Sequence, residues 1–163
     1  MDDLKHHDTC RLTIFLPKDR TKMGWFNLLT GDDHLLMTGP ARGKADNQRA
    51  IKEGNPMRLP IKPYGDTPSG TFHETSPVTF AKPHGRLGVG WIPLRGKSGD
   101  ALVAESIGGR EGLGLHAGRG DDHLMATYGC IRVTDSDYDR LDQLIRANGG
   151  HVAVTVHDVE VTS

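Results

Sequence analysis

The sequence contains only two cysteines, no long hydrophobic run and almost no excess of charge of either sign. Two cysteines are too few for a disulfide framework, and we expect Cys10 and Cys130 to be free thiols instead of a pair. No window approaches the roughly 18 consecutive apolar residues that a membrane-spanning helix needs. The formal net charge is -1, from 20 basic and 21 acidic side chains. This balance gives no indication of a nucleic-acid partner, which usually requires a basic face.

The amino-terminal stretch MDDLKHHDTC is acidic from its second residue and lacks the apolar core of a secretory signal. The sequence as written therefore predicts a cytoplasmic protein, with export through a specialised secretion system as the alternative. Apolar residues make up 36% and charged residues 25% of the 163 residues. This composition predicts one domain over residues 1–163, long enough for a single hydrophobic core.

Turn residues are abundant, with 21 Gly and 9 Pro between short β-rich stretches. We predict a hairpin at residues 23–39, turning at 31–33. Further strands are predicted at residues 11–17, 70–75, 88–94, 101–107, 112–117, 129–133 and 151–161. The pattern indicates a mostly β (α+β) domain with one long helix packed against it near the carboxyl terminus.

That long helix is predicted over residues 135–150, with Thr134 or Asp135 as its cap and Gly149 at its end. A shorter helix is predicted from Asp46 through Lys52. The rest of residues 40–66 is predicted to be loop, bordering the functional site as a lid, because long irregular stretches in compact domains are often functional. The apolar stripe of the long helix consists of Tyr138, Leu141, Leu144 and Ile145.

Cys130 is the candidate nucleophile. A thiol attacks carbonyls as thiolate, and its ordinary pKa of about 8.5 means that it needs a nearby base or cation. His116 lies fourteen positions upstream, within reach if the two segments form neighbouring strands. Gly129 would allow close backbone approach to a substrate, and the N–H groups from Tyr128 to Cys130 would hold a developing oxyanion.

Two other interpretations of the same residues stay open. Cys130 and His116 are equally consistent with a small buried side chain and a structural strand histidine. A zinc-dependent hydrolase is the other alternative, although the paired spacing typical of zinc ligands is absent. Its candidate ligands are His116, Asp121, Asp122, His123 and Cys130.

The segments LHAG (115–118) and ATYGCIRV (126–133) resemble the signature of the YkuD-type L,D-transpeptidase family. That signature is a His, usually followed by Gly, then Ser/Thr-His-Gly-Cys, an apolar residue, and Arg or Asn. The segment YGDTPSGTF (64–72) is similar to the Thr-Pro-Thr/Ser-Gly-Thr-aromatic segment upstream in that family. The matches fall in family order and spread over about half of the chain.

The resemblance implies roles for individual residues. Cys130 matches the acyl-accepting nucleophile and His116 its base. Ala117 stands where the family commonly has Gly, at the position whose backbone carbonyl orients the imidazole. Thr127 matches the Ser/Thr of the motif and Gly129 its Gly.

Two further positions concern the substrate pocket. Arg132 matches the Arg of the motif, expected to shape the pocket or to meet a substrate carboxylate. Tyr128 occupies the place where the family often has a second His, so any role of that imidazole is in question here. The nucleophile and its base are both retained.

The resemblance further implies a YkuD-like β-sandwich acting on peptidoglycan stem peptides or muropeptides. Cys130 would release a terminal D-Ala from a tetrapeptide and form an acyl-thioester, with no metal or organic cofactor. An amine acceptor gives an L,D-transpeptidase, and water gives an L,D-carboxypeptidase. The alternatives are an exported peptidoglycan-targeting effector of the same family and a non-catalytic wall- or peptide-binding module on this fold.

Overall fold

The computed structural model describes residues 9–118, 124–125 and 127–160. In that part of the chain, ten strands and three helices form a mostly β, α+β structure, as the sequence predicts. The strands are β1 (Thr9–Pro17), β2 (Gly24–Leu29), β3 (Leu35–Ala41), β4 (Gly70–Phe72), β5 (Val78–His84), β6 (Gly88–Pro93), β7 (Gly96–Ser98), β8 (Gly114–His116), β9 (Ile131–Arg132) and β10 (His151–Val159). The helices are α1 (Asn47–Lys52), α2 (Gly99–Ser106) and α3 (Asp135–Ala147).

Two mixed sheets carry the fold. The first has six strands in the order β3-β2-β1-β10-β4-β7, with β1 and β10 parallel and the other pairs antiparallel. The second has four strands in the order β5-β6-β8-β9, and here only β8 and β9 are parallel. Buried side chains of both sheets and of α3 belong to one hydrophobic core, consistent with a β-sandwich.

The alternation in β1 explains its position in the middle of the large sheet. Cys10, Leu12, Ile14 and Leu16 are all fully buried, and they share one face because side chains alternate along a strand. The predicted hairpin is β2 and β3, which pair antiparallel. These strands therefore form where the sequence predicts them.

Helix α3 also agrees with its prediction. The Thr134 side chain accepts a hydrogen bond from Asp137 N at 3.1 Å and so caps the helix. Tyr138, Leu141 and Ile145 are buried against the core, as the apolar stripe requires. The helix ends at Ala147, two residues before the predicted Gly149.

The strand predicted at residues 101–107 is wrong, because residues 99–106 form helix α2. Ala101 and Ala104 are both fully buried, and their spacing of three matches one face of a helix. Alanine and leucine also favour helix intrinsically. Strands β5 and β7 were not predicted: β5 is mostly exposed, and β7 has only three residues, so neither shows the alternation of a half-buried strand.

Among the described residues, no helix combines the length and the apolar character needed to cross a bilayer. The longest is α3, with 13 residues, whereas a span takes about 20.

Candidate active site

The pairing of β8 with β9 brings the two halves of the sequence motif together. His116 pairs with Arg132, and Leu115 with Ile131, in a parallel register. Cys130 lies two residues before Arg132, immediately ahead of β9. The side chains of His116 and Cys130 both line a cleft of about 630 Å³.

His116 is oriented by its own neighbour in the chain. Its Nδ1 lies 2.8 Å from Ala117 O, and because a carbonyl oxygen only accepts, Nδ1 carries the proton. Nε2 is then left with its lone pair. The side chain is 1% exposed, and burial lowers the pKa of His116 to about 4, helped by the positive charge of Arg132. At neutral pH the imidazole is therefore a neutral base.

Arg132 forms part of the wall of the cleft. Its Nη1 donates to Ala117 O at 2.8 Å, to Gly118 O at 2.6 Å and to Arg86 O at 3.1 Å, and its Nε donates to Met125 O at 3.1 Å. The side chain is buried. Arg132 thus shares the carbonyl that orients His116 and ties three backbone segments together, which shapes the pocket.

Cys130 is a half-buried free thiol. Its Sγ donates to Gly112 O at 3.5 Å, so in this conformation the thiol proton is directed at a backbone carbonyl and not at His116. Burial raises the pKa of Cys130, and the positive charges of Arg110 and Arg132 partly oppose that effect. The cleft therefore holds a neutral thiol and a neutral imidazole, instead of a thiolate–imidazolium pair.

The turn before Cys130 is fixed by Thr127. Its Oγ1 donates to Cys130 O at 2.7 Å and accepts from Gly129 N at 3.0 Å. Gly129 has a φ of +113°, and a Cβ there would overlap Arg110 Nη2 and Gly65 O. Because Gly129 N is already bonded, the N–H groups of Tyr128 and Cys130 remain as the candidates for holding an oxyanion.

Sequence reasoning missed Arg110, which lines the same cleft. Its guanidinium is buried and donates to the backbone carbonyls of Pro60, Asp66 and Gly65. No carboxylate among the described residues lies within ion-pair distance of it. Burial lowers the pKa of Arg110 to about 10, so it stays charged at neutral pH. A lone Arg in GGREG carries no pattern, because its partners are backbone atoms of residues 60, 65 and 66.

Segment 40–66 runs along this cleft. Asp46, Pro63 and Tyr64 line it. The predicted cap of α1 is present, since the Asp46 carboxylate accepts from Arg49 N at 2.8 Å. Ala45 forms a β-bridge with Thr127, which attaches the segment to the turn before Cys130. Its role as a lid stays a prediction.

The remaining sequence candidates lie elsewhere. Asp121, Asp122 and His123, needed for the zinc alternative, fall outside the described residues. In the described ranges, no three His, Cys, Asp or Glu side chains are grouped as metal ligands would be. Cys10 is a fully buried free thiol in β1, and it is not bonded to Cys130.

Comparison with known proteins gives a likeness of fold. No protein-family model and no curated protein sequence matches the chain. The solved structure of Bd1075 from Bdellovibrio bacteriovorus is similar, with 16% identity, a TM-score of 0.53, and coverage of 94% of this chain and 50% of that one. The helical cell shape determining protein Pgp2 from Campylobacter jejuni gives 14% identity, a TM-score of 0.52, and coverage of 94% and 50%. The chain thus spans about half the length of these proteins and shares their fold.

Proposed function

We propose that this chain is a cysteine-dependent acyl transferase that acts on peptidoglycan stem peptides, with Cys130 as nucleophile and His116 as base. The single observation that carries the proposal is the His116 imidazole, whose Nδ1–H is fixed on Ala117 O in a cleft that Cys130 also lines. That arrangement leaves Nε2 of His116 with its lone pair free to accept a proton. The residues that build it are those of the YkuD-like motif.

The reaction proceeds through a thioester. Nε2 of His116 takes the Sγ proton as sulfur attacks the carbonyl that joins an L-configured centre of a diamino acid to terminal D-Ala. The tetrahedral oxyanion accepts hydrogen bonds from the N–H groups of Cys130 and Tyr128. The C–N bond then breaks, His116 returns the proton to the leaving amine of D-Ala, and the acyl group remains on sulfur. An amine or water releases it.

The electrostatics of the site require the proton to move during the attack. A pKa near 4 for His116 and a raised pKa for Cys130 make a resting ion pair unfavourable. The thiol therefore loses its proton during the attack, while negative charge develops on the carbonyl oxygen of the substrate. The positive charge of Arg110 stabilises negative charge on the Cys130 sulfur. We therefore assign His116 the role of general base, and Arg110 that of an electrostatic support behind the nucleophile.

The structural likeness supports a cell-wall substrate at a coarser level. Pgp2 is described as a helical cell shape determining protein, and a stem-peptide substrate for this chain is consistent with that description. Transpeptidation and carboxypeptidation share the acyl-enzyme and differ only in the acceptor.

Incubation with a disaccharide tetrapeptide, followed by mass spectrometry of the products, tests the proposal. Loss of D-Ala with gain of water identifies a carboxypeptidase, and a cross-linked dimer a transpeptidase. Cys130→Ala should abolish turnover, whereas Cys10→Ala, which removes the other thiol, should retain it. An unchanged tetrapeptide that still binds the wild-type protein would favour the non-catalytic binding module.

A further inference from the structure

A cluster of arginine and tyrosine side chains stands at the mouth of the cleft, apart from the thiol and the imidazole. It consists of Arg49, Tyr64, Arg86 and Tyr128, here called the rim cluster. The Arg49 Cζ lies 5.1 Å from the Tyr64 ring centroid and 5.2 Å from that of Tyr128. The Arg86 Cζ lies 4.9 Å from the Tyr128 ring. The two rings are 5.9 Å apart, edge to face. These distances fall within the range of cation–π and aromatic contacts.

The rim cluster joins three separate parts of the chain. Arg49 belongs to α1, Arg86 to the turn between β5 and β6, and Tyr128 to the turn before Cys130. Arg86 Nη1 also donates to Tyr128 Oη. Tyr64 has a φ of +62°, a conformation that is unfavourable for a non-glycine residue and persists where the surroundings fix it. The cluster is therefore arranged before any ligand arrives.

The contact with Tyr128 uses the Nη1 group of Arg86, and no hydrogen bond to a described residue is made by its Nε or Nη2. A guanidinium stacked on an aromatic ring still presents in-plane donors, and a carboxylate fits them in bidentate fashion. Arg49 already pairs with Glu53 at 3.3 Å. For Arg86, no carboxylate of the described residues lies within ion-pair distance. Arg86 is exposed, so its free donors face the solvent at the mouth of the cleft.

The charges that line the cleft favour an anion. Its positive side chains are Arg86, Arg110 and Arg132, against the carboxylates of Asp46 and Glu111. The Asp46 carboxylate is engaged in capping α1. The excess of positive charge attracts a carboxylate towards the mouth.

We propose that the rim cluster is a binding subsite for a free carboxylate of the peptide substrate, with Arg86 as the direct ligand and Tyr128 as the platform that holds it. This inference rests on the proposed function, since it names the feature of the stem peptide that the same cleft selects. The carboxylate is either the one at the peptide terminus or one on an internal residue. Both have the same chemistry, and separate arms of the experiment distinguish them.

The test measures binding without turnover. In the Cys130→Ala protein, the dissociation constants of three tetrapeptides are compared by calorimetry: the free acid, the form amidated at its terminus, and the form amidated at its internal carboxylates. A charge-assisted hydrogen bond contributes about 1.5–3 kcal/mol, so one amidated form should bind about tenfold or more weakly. Arg86→Gln should weaken the free acid by a similar factor and remove the discrimination. Arg140→Gln changes an exposed arginine of α3 outside the cleft. It should leave both the affinity for the free acid and the discrimination between the peptides unchanged.

Tyr128 supplies a second, independent readout. Tyr128→Phe keeps the ring under the guanidinium, whereas Tyr128→Ala removes it, so the alanine variant should lose more affinity for the free acid. Equal affinities for all three peptides, discrimination that survives Arg86→Gln, or no binding of any peptide would each overturn the inference. Cys130→Ser gives a second inactive background if the alanine variant folds poorly. Selective binding with no turnover by the wild-type protein would instead overturn the proposed acyl transfer alone.

Discussion

Replacing His116 by asparagine should remove an acid sensitivity that the buried imidazole gives the fold. The asparagine amide places an N–H donor close to the position of Nδ1 and can keep the bond to Ala117 O, but it does not titrate. In the folded protein the pKa of His116 is about 4, against about 6.5 in an unfolded chain. Between these two values the unfolded chain binds more protons than the folded protein. The contribution of His116 to stability is therefore present above pH 6.5 and is lost as the pH falls towards 4.

The size of the effect follows from the two pKa values. A difference of about 2.5 units at about 1.36 kcal/mol each gives about 3 kcal/mol in all, of which about 2 kcal/mol is lost by pH 5. Urea unfolding followed by circular dichroism at pH 7, 6, 5 and 4 measures it. The free energy of unfolding of the wild type, minus that of His116→Asn, should be about 2 kcal/mol smaller at pH 5 than at pH 7. The raised pKa of Asp66 also makes stability depend on pH, but this contribution cancels in the difference because both proteins carry Asp66.

His34→Asn is the matched control, since it removes an exposed histidine that does not line the cleft. A free-energy difference between wild type and His116→Asn that changes by less than about 1 kcal/mol from pH 7 to pH 4 would refute the reasoning. It would mean that the imidazole is solvated, or is already charged at neutral pH. In either case His116 could not be the buried neutral base that the proposed chemistry requires.

Substitutions at three other positions test the surroundings of the nucleophile. Arg110→Gln should shift thiol alkylation of Cys130 to higher pH, because it removes a positive charge that lowers the thiol pKa, and Arg110→Lys should restore part of the shift. Gly129→Ala should destabilise the fold by about 2–4 kcal/mol in urea unfolding, since a Cβ overlaps Arg110 and the φ of +113° is unfavourable. Thr127→Val should lower kcat about tenfold and destabilise the fold by about 1–3 kcal/mol, because it removes the hydrogen-bond partner of the Cys130 carbonyl and of the Gly129 N–H.

Each of these has an outcome that contradicts it. An unchanged pH profile of alkylation in Arg110→Gln would show that its charge does not reach the thiol. A Gly129→Ala protein as stable as the wild type would mean that the turn has room for a side chain. Wild-type kcat in Thr127→Val would show that the turn positions Cys130 without its hydroxyl.

The sequence predicts those elements whose signal is local. The alternation of Leu12, Ile14 and Leu16 is typical of a half-buried strand, and β1 forms there. Likewise, the stripe of α3 and the Asp46 cap of α1 are read directly from residue spacing. The prediction of a strand at residues 101–107 failed because a short apolar run has no distinctive period. Burial of Ala101 and Ala104 on one face favours the helix instead.

The candidate site is less accessible to sequence reasoning, because much of it depends on contacts between distant segments. Arg110 binds backbone carbonyls of residues 60–66, and such partners leave no pattern of residue types. The contacts of Arg86 with the Tyr128 hydroxyl and ring join residues 42 positions apart. A motif indicates which side chains carry the chemistry, but the charges that surround them are assembled only by the fold.

Covalent trapping of the thiol tests the central claim most directly. If Cys130 is an activated nucleophile beside an oxyanion site, a carbapenem should acylate it, because opening of the strained ring mimics the first half-reaction. The intact mass should rise by one drug molecule, mapped to Cys130 and absent in Cys130→Ala. His116→Asn should slow the labelling strongly at neutral pH, and less at high pH, where the thiol ionises unaided. Labelling that falls equally on Cys10 and Cys130, at rates unaffected by His116→Asn, would contradict the account.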